Sequence, residues 1–116
     1  MKARVLIQRS WTLCALEEGG TCRAEQYIKN LGEGDKKKLI ALLERTADHG
    51  PPSNRQKFRK VEGDLYEFKS YQDRLLCFFQ PSRVIVLTHG FRKQTNRIMR
   101  SEIERAERLR RQYLGR

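Results

Sequence analysis

The sequence predicts an α+β fold, in which a small antiparallel sheet packs one face against an N-terminal helical hairpin and a C-terminal helix. Three short runs of aromatic and β-branched residues, separated by turn residues, follow one another within residues 64–93 and indicate an antiparallel meander. Two amphipathic stretches precede this meander, and a third follows it. A chain of 116 residues holds one modest core, so we expect residues 1–116 to form a single domain.

The N-terminal half is predicted to supply a strand and the helical hairpin. Residues 4–7 fit a short strand, whereas residues 10–20 end in Glu-Glu-Gly-Gly and indicate a loop or a short irregular helix. We expect Thr21 to cap a first helix that ends at Gly32, and Asp35 to cap a second helix. An apolar stripe at helical spacing runs along the second helix, which Gly50-Pro51-Pro52 ends. The residues of that stripe are Leu39, Leu42, Leu43 and Ala47.

The meander is predicted to follow a basic link, residues 51–60, that becomes a strand near Phe58. Its first strand, 65–69, alternates apolar and charged residues, so one face of the sheet can carry charge. The other two strands, 75–79 and 84–87, are almost continuously apolar. This pattern is typical of central strands that helices cover.

A last helix is predicted within residues 95–114. Ser101 and Glu104 have the spacing of a capping box. The predicted start of the helix therefore lies between residue 95 and Ser101. The residues of its apolar stripe are Met99, Ile103, Ala106, Leu109 and Tyr113. This stripe is expected to pack on the sheet.

Charge is distributed unevenly along the chain. Lys and Arg number 25 against 14 Asp and Glu, which gives a net charge of +11. Residues 51–116 contain 16 of the basic residues and seven of the acidic ones, whereas residues 1–50 contain nine and seven. Because such a field attracts phosphates, the half that contains the meander is expected to bind a phosphate-bearing partner.

The three cysteines and the absence of an apolar segment indicate a cytoplasmic protein. Cys14, Cys22 and Cys77 are an odd number without close spacing, so we expect three free thiols in a reducing compartment. The N-terminus lacks a signal-peptide core, and no run approaches the roughly 20 apolar residues of a membrane span.

The common catalytic motifs are absent, so a cluster of cations at the strand ends is the main functional candidate. The sequence has no phosphate-binding Gly-Lys-Ser/Thr loop, no Cys-x-x-Cys, no His-Glu-x-x-His and no Gly-x-Ser-x-Gly, and no spacing supports a metal site. We expect neither a metal nor a cofactor. Two interpretations of the cluster stay open, a phosphate site or a sheet rim that is simply basic. Its residues are Lys69, Arg74, His89, Arg92 and Lys93.

Four blocks in order resemble a known family: LYEFK at 65–69, RLLCFF at 74–79, VLTHGFRK at 86–93 and EIERA at 102–106. Together they resemble the HigB-like branch of the RelE/ParE superfamily, the toxins of type II toxin–antitoxin systems. The resemblance extends upstream to Gly50-Pro51 and, more weakly, to Trp11, so it covers most of the chain. The family pattern has two lysines after the Phe and a proline before the last helix, whereas this chain has Arg92-Lys93 and no such proline.

The resemblance implies a RelE-like fold and a ribosome-dependent endoribonuclease that cleaves mRNA, with an antitoxin partner that is often a helix-turn-helix protein. In metal-free RNA cleavage the adjacent 2′-hydroxyl attacks the phosphate, so the site must move protons and stabilise negative charge. His89 can act as acid or base, and relatives differ in which residue does so. The candidate catalytic residues are Lys69, Arg74, His89, Arg92 and Lys93. The candidate RNA-binding residues are Tyr66, Tyr71, Arg55, Lys57, Arg59 and Lys60.

Two other functions stay open at this point. The first is a ParE-like toxin that inhibits a protein target such as gyrase, and the second is a noncatalytic basic RNA-binding protein. Arg74 opens a predicted strand, so its replacement by alanine is expected to abolish toxicity and leave the fold intact. Tyr66 fits the core better than a binding site, whereas Tyr71 lies in a predicted turn and can stack on a base.

Overall fold

The computed structural model describes residues 1–115 and contains one seven-stranded sheet with three helices. The elements are β1 (Lys2–Gln8), β2 (Thr12–Glu18), β3 (Thr21–Cys22), α1 (Arg23–Lys29), α2 (Glu33–His49), β4 (Phe58–Glu62), β5 (Leu65–Ser70), β6 (Asp73–Gln80), β7 (Val84–Arg92) and α3 (Arg100–Leu114). The strand order is β1-β2-β7-β6-β5-β4, and the short β3 pairs with β2. The predicted α+β class, the helical hairpin, the meander and the C-terminal helix are all confirmed.

β2 is the main difference from the predicted elements. Residues 10–20 were expected to form a loop or an irregular helix, and this was wrong, because Thr12–Glu18 is a strand between β1 and β7. Its pairing with β7 is parallel, so the sheet is mixed, while the meander and the β1–β2 pair are antiparallel. A short apolar run is ambiguous between a buried strand and a buried helix, and only its pairing partner decides.

The helices lie on both faces of the sheet, and the expectation of one covered face was therefore wrong. Along β2, Leu13 and Ala15 pack in the core cluster that includes residues of α1 and α2. The intervening Cys14 and Leu16 pack in a cluster with Leu109 of α3. Successive side chains of a strand point to opposite faces, so the central strands are buried on both sides.

The helix ends differ from the expected caps. Cys22 and Gly32 occupy the N-cap positions of α1 and α2, and neither helix has a side-chain cap hydrogen bond. The predicted caps at Thr21 and Asp35 were wrong, since Thr21 belongs to β3 and Asp35 lies in the first turn of α2. α3 begins at Arg100 after Met99, which rules out the capping box at Ser101. Met99 is 58% exposed and lies outside the apolar stripe.

The other expectations about packing are confirmed. Residues 4–7 lie in the edge strand β1, and the link becomes β4 at Phe58. Gly50 ends α2, and the four residues of the α2 stripe are buried. The three cysteines are free and buried. Within residues 1–115, no helix is both long and apolar enough to cross a membrane.

Candidate active site

A tight turn between β5 and β6 presents one aromatic side chain to solvent. The turn consists of Tyr71 and Gln72, and Tyr71 adopts a left-handed backbone conformation with φ of 57°. Tyr71 is 72% exposed, so its side chain lies in solvent and not in the core. The backbone nitrogen of Lys93 donates to the carbonyl oxygen of Gln72 at 2.7 Å, so the chain that follows β7 supports the turn.

An open cleft of about 700 Å³ lies beside this turn, and we call it the cationic cleft. It is bounded by α2, by the link before β4 and by the end of the β5–β6 hairpin. The residues that line it are Lys38, Ala41, Leu42, Arg45, Asn54, Gln56, Lys57, Lys69, Ser70, Tyr71 and Arg74. Five of these side chains are cationic and none is a carboxylate. A surface of this kind attracts polyanions.

The wall contributed by α2 was not predicted from the sequence. Lys38 and Arg45 lie seven residues apart, or about two turns, which places them on the same side of a helix. The Nζ atom of Lys38 lies 4.3 Å from the centroid of the Tyr71 ring, a cation–π distance. The signal was present in the sequence, because Lys38 and Arg45 flank Leu42 at i−4 and i+3.

Beside the wall of the cleft that the β5–β6 hairpin forms lies a buried carboxylate, which was not predicted from the sequence either. Glu67 is fully buried in β5, between Arg59 of β4 and Arg74 of β6. Its Oε2 lies 3.3 Å from Nε of Arg59, and its Oε1 lies 3.1 Å from Nε of Arg74. Arg74 also donates through Nη1 to the backbone oxygens of Tyr71 and Asp73. Arg74 is thus buried and paired, and the expectation that its loss leaves the fold intact no longer follows.

The surroundings of Lys69 favour its neutral form. Partial burial lowers the pKa of Lys69, and the positive charges of Arg59, Arg74 and Lys93 lower that pKa further. Glu67 acts in the opposite direction on the same pKa. A lysine in such a setting releases its proton more readily than a lysine in water.

His89 does not line the cleft. The residue is 2% exposed, and its Nε2 lies 3.0 Å from Oε1 of Glu102 on α3. Its Nδ1 lies 3.2 Å from Oγ1 of Thr88. Burial lowers the pKa of His89, although Glu102 raises that pKa. Both ring nitrogens therefore have partners within the fold, and His89 joins β7 to the first turn of α3. Its catalytic role stays a prediction.

Other predicted site residues lie around the cleft or away from it. Arg92 is exposed and pairs by backbone with Asp73, next to the turn. Tyr66 is half-buried and stacks on Phe58, with ring centroids 5.5 Å apart and planes 6° apart. Lys60, with Arg59, lines a separate hollow of about 570 Å³ near the start of α3.

The structure therefore brings four of the predicted residues into one cleft: Lys57, Lys69, Tyr71 and Arg74. Arg59 and Lys93 lie close enough to influence the charge of Lys69. His89, Tyr66, Arg55, Arg92 and Lys60 are not among the residues that line it. Within residues 1–115, no group of three His, Cys, Asp or Glu side chains is placed to hold a metal ion.

Fold and site together define a small basic α+β protein with an open cleft lined by five cationic side chains. The family model described as phage derived protein Gp49-like (DUF891) matches residues 26–111, most of the chain, and the protein belongs to this family. The matched range contains every residue that lines the cationic cleft. The family is a toxin-like family of toxin–antitoxin systems, which implies an antitoxin partner. No curated protein matched the chain.

Proposed function

We propose that the protein is the toxin of a type II toxin–antitoxin pair and cleaves mRNA on the ribosome, as the HigB-like branch of the RelE/ParE superfamily does. One observation carries the proposal: five cations and an exposed tyrosine line a single cleft that has no carboxylate in its lining. RNA offers both matching features, because phosphates bind the cations and an unstacked base can lie on an aromatic ring.

The proposed reaction is an internal phosphoryl transfer that consumes no cofactor. The 2′-oxygen of one nucleotide attacks its own 3′-phosphate, and the bond from phosphorus to the 5′-oxygen of the next nucleotide breaks. One proton leaves the 2′-hydroxyl, another reaches the departing 5′-oxygen, and the phosphorane between them carries extra negative charge. The products are a 2′,3′-cyclic phosphate and a 5′-hydroxyl.

Lys69 and Arg74 are best suited to act on the scissile phosphate. Arg74 is held rigidly by its contacts within the hairpin, so its positive charge is in place before the phosphorane forms. The lowered pKa of Lys69 suits a group that exchanges a proton during the reaction. We assign proton transfer to Lys69 ahead of His89, whose two ring nitrogens already have partners.

Tyr71 and the α2 wall bind the rest of the substrate in this proposal. The exposed Tyr71 ring stacks on a base, and Lys38, beside that ring, pairs with a neighbouring phosphate. Arg45 and Lys57 extend the positive surface along the cleft. A volume of about 700 Å³ lies within the range of ligand pockets, so the cleft accommodates part of an RNA strand and the ribosome holds the remainder.

The decisive experiment supplies the purified protein to ribosomes that translate a defined mRNA and maps the new 5′ ends by primer extension. We expect the wild type to cleave, and Lys69→Met to slow single-turnover cleavage by about 100-fold to 10,000-fold, the usual contribution of general acid–base catalysis. Lys2→Met is the matched control, since Lys2 is an exposed lysine in β1, on the opposite edge of the sheet from β4. His89→Gln, if folded, is expected to retain cleavage.

Each alternative function predicts a different outcome of this experiment. Growth inhibition by a protein that leaves mRNA intact on translating ribosomes indicates a protein target, as in the ParE branch. RNA binding with neither cleavage nor growth inhibition indicates a noncatalytic RNA-binding protein. A folded His89→Gln that loses cleavage, together with an active Lys69→Met, would return proton transfer to His89. Growth inhibition that a co-expressed helix-turn-helix protein relieves would support the antitoxin assignment.

A further inference from the structure

Glu67 is a buried charge that the proposed reaction does not use. It lies in the middle of β5 and contacts an arginine on each neighbouring strand, Arg59 on β4 and Arg74 on β6. One carboxylate therefore joins three adjacent strands directly beside the cationic cleft. Arg74 is the member of this group that lines the cleft.

The guanidinium of Arg74 is held on two sides. Nε faces Oε1 of Glu67, and Nη1 donates to the backbone oxygens of Tyr71 and Asp73. Within residues 1–115, the third nitrogen, Nη2, makes no hydrogen bond. The side chain is thus fixed in one orientation, with one amino group left for a ligand.

Stability alone is a weak reason for this arrangement. Buried ion pairs are often no more stabilising than apolar side chains of similar volume, because both charges lose their water. The contact between Nε of Arg74 and Oε1 of Glu67 lacks the angle of a hydrogen bond, and no donor in the described part of the chain bonds to Oε1. A buried oxygen without a donor costs free energy. The position of Glu67 is therefore better explained by its effect on the orientation of the Arg74 guanidinium.

We propose that Glu67 is a positioning residue of the cationic cleft, which fixes the Arg74 guanidinium against the Tyr71–Gln72 turn so that its free amino group meets a phosphate. The expected effect of Glu67 on cleavage rests on the proposed function. Its expected effect on the Arg74 guanidinium rests on the ion pairs alone. Glu67 also lies among the charges around Lys69, which are Arg59, Arg74 and Lys93.

The kinetic test replaces Glu67 with glutamine, which has nearly the same shape and no charge. We expect Glu67→Gln to lower kcat for cleavage on ribosomes by about 100-fold, the usual effect of misplacing a catalytic group by about 1 Å. KM should change little, because the other cations of the cleft still bind the RNA. Glu62→Gln is the matched control, since Glu62 pairs with Arg100 at 2.8 Å in an exposed position of the same hairpin. Equal kcat values for Glu67→Gln and the wild type would overturn the proposal.

A second measurement does not depend on activity. NMR of the Arg74 guanidinium should show slow rotation about its Nε–Cζ bond in the wild type and in Glu62→Gln, and fast rotation in Glu67→Gln. The pKa of Lys69, followed through its side-chain signals, should fall in Glu67→Gln because a nearby negative charge is lost. An unchanged Arg74 signal would refute the positioning role even if the protein cleaved no RNA. Failure of the proposed function would instead appear as a wild type that does not cleave.

A shorter carboxylate keeps the test decisive if Glu67→Gln does not fold. Glu67→Asp retains the negative charge between Arg59 and Arg74, but its side chain is one methylene shorter and cannot keep both arginine contacts at their present distances. It should therefore lower kcat and weaken the slow Arg74 signal, as Glu67→Gln does. A folded Glu67→Asp with the wild-type kcat and an unchanged Arg74 signal would contradict the assignment.

Discussion

Replacement of Arg74 by alanine is expected to destabilise the protein substantially, contrary to what the sequence suggests. The sequence predicts Arg74 as the polar start of a strand, yet its side chain is only 5% exposed and faces the fully buried Glu67. Removal of one member of a buried ion pair usually costs about 3–5 kcal/mol, because the other charge stays buried without its partner. Arg59 still contacts Glu67 at 3.3 Å, so the lower end of that range, about 3 kcal/mol, applies.

A loss of about 3 kcal/mol is large beside the 5–15 kcal/mol that typically stabilises a domain. For a chain of this size it corresponds to a fall in Tm of roughly 12 °C, at about 4 °C for each kcal/mol. Urea unfolding followed by the fluorescence of Trp11, the single tryptophan, measures the free energy directly. Replacement of both Arg74 and Glu67 by methionine should recover much of the loss, because no unpaired charge is then buried.

Arg100→Ala provides the matched comparison. Arg100 also pairs with a glutamate, Glu62 at 2.8 Å, but both side chains are exposed. Exposed ion pairs contribute about 0–1 kcal/mol, so this variant should unfold almost like the wild type. If Arg74→Ala costs no more free energy than Arg100→Ala, the argument from the buried carboxylate is wrong. If Arg74→Ala costs about 3 kcal/mol, unfolding alone can reduce its toxicity. Growth assays of this variant must then be compared at equal amounts of folded protein.

Two further predictions concern packing and pH. A Cβ atom on Gly90 would lie 2.6 Å from the Tyr27 ring, so Gly90→Ala should cost about 1–3 kcal/mol in urea unfolding, whereas Gly34→Ala in α2 meets no atom and should not destabilise. Burial holds the pKa of His89 below its unfolded value of about 6.5 despite Glu102, so the unfolded state binds the extra proton first as the pH falls. Stability should therefore decrease from pH 7 toward pH 5, and His89→Gln should reduce that decrease; identical pH dependence in both proteins would exclude His89 as its source.

Local patterns in the sequence determined most of the elements. The apolar stripe of α2, the three meander strands and the turn at Tyr71 depend on residues that are near one another in the chain, and each was predicted correctly. The concentration of positive charge in residues 51–116 also predicts a polyanionic partner, and this stays a prediction. Helical and strand periodicities are local properties, which is why a single sequence reveals them.

Only the tertiary structure decided which residues share the site. β2 becomes a central strand through parallel pairing of Thr12 with Val84, which are far apart in the chain. α3 packs on the second face of the sheet, the face that was expected to be open. Its Glu102 thereby contacts His89, which is buried as a result.

The cationic cleft itself depends on the same kind of long-range packing. Docking of α2 brings Lys38 to the Tyr71 ring, and strand pairing places Glu67 between two arginines of neighbouring strands. Each of these contacts joins residues from separate elements, and the sequence pattern that predicts one element contains no information about the other. The free energy that selects them comes from the burial of the whole sheet between helices on both faces, so no local stretch of the sequence specifies them.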